Sequence, residues 1–109
     1  MTYLVGNKRT ADSGVYVGRP TPLGNPFRIG PDGSRAEVIQ LYTDWFYEQL
    51  DAVLTADYRS AAVKHQLRVI QKVHRLKGEV CLLCWCAPKL CHANVVAEYL
   101  TWLGEKEIP

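Results

Sequence analysis

The chain has 109 residues, 48% of them hydrophobic and 22% charged, which is the composition of one compact domain and excludes wholesale disorder. A formal net charge of +2 is too small to argue by itself for nucleic acid or a membrane surface. No apolar run approaches the roughly 20 residues of a membrane span, and the opening MTYLVGNKRT has no signal-peptide core, so the cytoplasm is expected and a membrane partner is not.

In chain order, YLV at 3–5 reads as a short edge strand, and VYVGR at 15–19 as a second strand rich in β-branched and aromatic residues. It runs into PTPLGNPFRIGPDG, whose four prolines and three glycines forbid a regular element. Ser34 with Glu37 forms an S-x-x-E capping box. The helix it starts should bury Val38, Ile39, Leu41, Tyr42, Trp45, Phe46 and Leu50. A second helix is expected over about 58–76, with Val63, Leu67, Ile70 and Val73 inward and Gly78 as its stop.

EVCLLCWC at 79–86 is a nearly continuous apolar run, as a central strand between helical layers would be, and Pro88 breaks it. A last helix starts near Cys91 or His92, buries Val95, Val96, Tyr99, Leu100 and Leu103, and stops at Gly104. The order β-β-α-α-β-α predicts a small single α/β domain over 1–109, with helices on a short mixed three-stranded sheet. If the second and third strands are parallel neighbours, the loops that follow them emerge together at their carboxyl ends. Open α/β sheets bind ligands there.

The second of these loops carries CWCAPKLCH, and all four cysteines (Cys81, Cys84, Cys86, Cys91) fall within eleven residues. A secreted disulfide scaffold spreads its cysteines to staple distant segments, so metal binding, reactivity or burial are the competing readings. Cys84, Cys86, Cys91 and His92 make a complete Cys3His set for zinc. Against it, Cys84 and Cys86 would lie ~6.6 Å apart in an extended strand, and no second ligand knuckle exists. Cys91 at a helix N-terminus fits an activated thiolate, with His92 beside it. Cys81 and Cys84 read as small buried hydrophobes. A Cys86–Cys91 disulfide fits across the turn as a redox state, and Trp85 is expected in core packing.

In the first loop, Gly18 and Gly24 allow close backbone approach while Pro20, Pro22 and Pro26 stiffen the path. Arg19 and Arg28 offer donors for phosphate or carboxylate. Asn25 fixes a turn and offers an amide, and Arg35 adds a third cation. Neither a P-loop nor a dinucleotide fingerprint is present. The alternative is a rigid connection with Arg19 in a salt bridge. Lys64, Arg68, Lys72 and Arg75 share one helix face, read as solvated rather than nucleic-acid-binding. His65 and His74 on that helix show no partner.

Together VYVGRPTPLGNPF, DGSRAEVIQLY and LLCWCAPKLCHANVVAEYL resemble the family called domain of unknown function 4326, frequent in bacterial and phage genomes, from about residue 15 to 103. The resemblance implies Gly-Asp after the Cys-His pair, where this chain has Ala93-Asn94. Asn94 retains the capacity to cap a helix. A looser similarity to Rossmann-like domains of the SLOG superfamily points to a nucleotide ligand.

The expected function is binding of a nucleotide-like or phosphorylated small molecule between the two loops in a bacterial or phage-infected cell. Gly18, Arg19, Asn25, Arg35 and Cys86 would bind, with no cofactor. Cys91 and His92 are the catalytic candidates if the protein is a hydrolase or transferase. Two alternatives stand beside it. One is a zinc-stabilised interaction or nucleic-acid-binding module; the other is a phage or mobile-element structural protein without ligand.

Overall fold

The computed structural model of the protein describes residues 3–11, 13–51, 58–87 and 89–109. The elements follow the expected order: β1 (Tyr3–Asn7), β2 (Val15–Tyr16), α1 (Arg35–Asp51), α2 (Tyr58–Lys77), β3 (Val80–Cys84) and α3 (His92–Leu103). The sheet runs β1-β3-β2. It is parallel throughout rather than mixed, with Tyr3 beside Val80 and Val15 beside Leu82. The short β1–β2 connection makes no hairpin because β3 lies between those strands. The β2–β3 connection carries two helices, as a crossover between parallel neighbours does.

The register divides the sheet into two faces. Tyr3, Val5, Val15, Val80, Leu82 and Cys84 join the core formed with the three helices. Among the described residues no helical layer covers the opposite face, contrary to the reading of β3 as sandwiched. Its centre is covered by the β1–β2 connection, packed so closely that a Cβ on Gly14 would meet the Cys81 carbonyl at 2.5 Å and Leu83 Cγ at 2.9 Å. Leu83 is thereby buried without a helix over it. The apolar run at 80–84 therefore reflects one helical layer and one backbone layer.

β2 is shorter than the apolar pattern suggests. Val17 still donates its N–H to Leu83 O at 3.0 Å, but Gly18 then turns the chain away. β3 likewise ends at Cys84; Pro88, expected to break it, lies outside the described residues.

The helix punctuation is as the sequence dictates. Ser34 N–H donates to Glu37 Oε1 at 2.8 Å and Glu37 N–H to Ser34 Oγ at 3.2 Å, satisfying two otherwise orphaned donors. Gly78 ends α2 at φ +83° and Gly104 ends α3 at φ +64°, backbone angles that a side chain would strain. Tyr42 and Phe46 of α1, Leu67 and Ile70 of α2 and Val96 and Leu100 of α3 are fully buried. Leu41, expected inward, is exposed. His74 is not isolated: its ring stacks on Tyr3 with centroids 4.3 Å apart. Among the described residues no helix is long and apolar enough to cross a membrane.

Candidate ligand-binding cleft

Because all three strands are parallel, their carboxyl ends share one edge of the sheet. Lys8 follows β1, Val17 follows β2 and Trp85 follows β3. A cleft of about 560 Å³ opens there, within the range of small-molecule sites. Both unusual sequence motifs line it. Gly18, Arg19 and Asn25 come from the first loop, Arg35 from the start of α1, and Cys84, Cys86, Cys91 and His92 from the second loop and the start of α3. Every residue expected at the site is thus brought to one place.

The first loop is held from below. Tyr42 donates its hydroxyl proton to Leu23 O at 2.8 Å. Gln66 of α2 accepts from Leu23 N–H at 2.9 Å and donates to Tyr16 O at 3.2 Å. Tight turns follow, with Thr21 N–H on Gly18 O and Gly24 N–H on Thr21 O, each at 2.9 Å. A Cβ at Gly24 would come within 2.8 Å of Arg19 N, so this glycine serves close approach and not a left-handed angle. Asn25 Oδ1 accepts from Phe27 N–H at 2.9 Å. The turn-fixing role is filled by its oxygen.

The second loop is fixed from several directions. Asn7 Nδ2 donates to Ala87 O at 2.8 Å, and Arg35 Nη1 donates to Leu90 O at 3.2 Å. Cys91 caps α3, and its N–H donates to Asn94 Oδ1 at 2.9 Å. Asn94 therefore closes the cap. His92 is buried and its Nε2 lies 2.8 Å from Val17 O. As the donor there it carries the ring proton on Nε2, leaving Nδ1 as the basic nitrogen of a neutral imidazole.

Burial pushes the His92 pKa down; the Val17 carbonyl opposes the shift and the nearby Arg19 charge adds to it. Cys91 and Cys84 are both buried, and their sulfurs stand 2.8 Å apart as free thiols. Burial, reinforced by that thiol contact, raises the Cys91 pKa to about 12. The helix N-terminus that favours a thiolate is outweighed here by desolvation. Cys86 is half-buried. Its partnership with Cys91 across the turn is replaced by that of Cys84, because the strand ends at Cys84 and the chain turns with Lys89 N–H on Cys86 O at 2.8 Å. Among the described residues no group of three or more His, Cys, Asp or Glu side chains is placed to hold a metal ion. The four residues of the Cys3His set share the cleft wall without forming a ligand cluster.

Three guanidinium groups, those of Arg19, Arg28 and Arg35, line the cleft, and none of its described lining residues is Asp or Glu. Among the described residues none of the three is in an ion pair with a carboxylate. Aromatic and apolar surface comes from Tyr16, Phe27, Ile29, Trp85 and Leu90. Trp85 is not core: it is 56% exposed, donates Nε1–H to Tyr16 Oη at 3.1 Å and meets that ring edge-on. Tyr16 in turn donates its hydroxyl proton to Arg19 O at 2.6 Å. Sequence reasoning missed Tyr16, Phe27 and Trp85 as cleft residues and Gln66 as a support. The alternation that places Tyr16 and Trp85 off the core face was the available signal.

The architecture is a one-layer-on-sheet α/β domain with a cationic, aromatic cleft at the carboxyl edge of a parallel sheet. The chain belongs to the family described as domain of unknown function (DUF4326), which it matches over residues 5–102. No curated protein and no solved structure matches it.

Proposed function

We propose that the protein binds a nucleotide-like or phosphorylated small molecule in this cleft. The observation that carries the reading is the charge of the lining: three arginines, none in an ion pair with a carboxylate among the described residues although Asp32 Oδ2 accepts from Arg28 N–H at 2.8 Å, beside exposed aromatic surface. Guanidinium forks suit phosphate oxygens, and Trp85 and Phe27 offer rings against which a base can pack. The position at the carboxyl ends of parallel strands agrees with where α/β sheets take ligands.

Binding is favoured over a covalent step. A Cys91 thiol held up at about 12 is mostly protonated near neutrality and a weak nucleophile. We assign Cys91 and His92 to the shape and polarity of the cleft floor. The reading is tested by calorimetry with nucleoside mono-, di- and triphosphates on wild type and Arg19→Ala. Binding that weakens by about tenfold or more, as expected on removing a charged hydrogen bond of about 1.5–3 kcal/mol, supports it. Equal affinity of wild type and variant, or no binding by any nucleotide, overturns it.

A further inference from the structure

The third loop at the carboxyl edge, the one that follows β1, contributes none of its described residues to the cleft lining yet carries two adjacent cations. Lys8 N–H donates to Cys84 O at 2.8 Å, which fixes the start of this loop beside the end of β3. Lys8 Nζ lies 5.7 Å from the centre of the Tyr16 ring, and the Arg9 guanidinium lies 5.9 Å from that of Trp85. Tyr16 and Trp85 are the two hydrogen-bonded rings that border the cleft. Arg9 N–H donates to Asn7 Oδ1 at 2.8 Å, while Asn7 Nδ2 holds Ala87 O of the second loop. The two cations are therefore seated on the cleft wall by backbone and ring contacts, and both side chains are exposed.

Positive charge thus runs from Arg28, Arg35 and Arg19 inside the cleft, across an aromatic wall, to Lys8 and Arg9 outside it. A free mononucleotide held in the cleft would leave the outer pair without a function. A chain of phosphates with bases to stack would use both.

Resting on the reading above, we propose that the ligand is the end of a single-stranded nucleic acid. One terminal nucleotide occupies the cleft, and the sugar-phosphate chain leaves over Tyr16 and Trp85 onto Lys8 and Arg9. Single-strand binders combine a cationic track with aromatic platforms in this way.

The test is fluorescence anisotropy with end-labelled short oligothymidylate and oligouridylate, competed by thymidine monophosphate, over a salt series. Wild type is expected to bind the oligonucleotide about tenfold or more tighter than the mononucleotide. Lys8→Gln with Arg9→Gln should remove that advantage and reduce the salt slope by roughly 0.7 per cation lost, with mononucleotide affinity unchanged. Mononucleotide binding with no oligonucleotide advantage overturns this proposal alone and leaves the small-molecule reading standing. Equal salt slopes for wild type and the double variant also overturn it. Failure of both ligands to bind overturns this proposal, while the small-molecule reading is decided by the wider series of nucleoside mono-, di- and triphosphates.

Discussion

His92 Nε2 and the Val17 carbonyl meet at 2.8 Å across 75 residues of chain, and this contact joins the end of β2 to the start of α3. It is where the two sequence motifs become one site. Replacing His92 with Ala leaves a buried carbonyl unsatisfied and a void beside Tyr42, whose ring packs 5.1 Å from the imidazole. The expected cost is about 2–4 kcal/mol, measured by urea denaturation.

The same histidine makes stability depend on pH. Its folded-state pKa is depressed, chiefly by burial, so between that value and the ordinary one near 6.5 the unfolded chain binds the extra proton. Stability is therefore full above ~6.5 and falls as pH drops through this window, levelling below the folded value. His92→Gln, which keeps a donor for Val17 O but cannot titrate, should lose this component of the slope. An unchanged slope in the variant would remove His92 as its source.

Thiol reactivity should sort by burial. With iodoacetamide near neutral pH, Cys86 and Cys81, both partly exposed, should alkylate well before Cys84 and Cys91, which are buried, with Cys91 also held protonated. Under glutathione disulfide, slow exchange should give a Cys84–Cys91 disulfide and two glutathione thiols, because those sulfurs are already adjacent. Peptide mapping that finds Cys86–Cys91 instead would contradict the arrangement at the cleft floor.

Gly24→Ala places a Cβ against the Arg19 and Gly18 backbone, at 2.8 Å from Arg19 N and 3.0 Å from Gly18 C. Those atoms belong to the turn itself and cannot swing aside as a side chain would. The variant should lose about 1–3 kcal/mol and bind nucleotide more weakly, since the turn that presents Arg19 must open. Calorimetry on the folded variant separates the two effects.

Tyr42→Phe removes the hydroxyl that supports the same loop at Leu23 O. A fall of about 1–3 kcal/mol is expected from the stranded carbonyl, with helix content by circular dichroism unchanged. A neutral substitution would mean the loop is held by Gln66 alone.

Much of the architecture was legible. The Ser34–Glu37 box, the stops at Gly78 and Gly104, the start of α3 at Cys91 and the inward Val63, Leu67 and Ile70 follow from local rules that tertiary context did not override. The meeting of the Gly/Pro and Cys/His loops followed from parallel strands. What escaped depended on partners far along the chain. Strand direction is invisible in hydrophobicity, so the sheet read as mixed. The Cys84–Cys91 contact required knowing that β3 stops at Cys84. The exposure of Trp85 required knowing that, among the described residues, the helices pack on one face of the sheet. The loop after β1 drew no attention because Lys8 and Arg9 look like ordinary surface charge until their rings are placed beneath them.

That β3 is central and pairs only with strands from the first sixteen residues has a kinetic consequence. The sheet has no local hairpin to nucleate on. Every ladder must wait for the far end of the chain to arrive, and such non-local pairing should slow folding relative to a sheet built from hairpins. The cleft, assembled from both ends of the sequence, comes into being only at the final step. Truncation before β3, or a stalled nascent chain, should therefore yield helices without a binding site, and ligand capture would report complete folding rather than partial order.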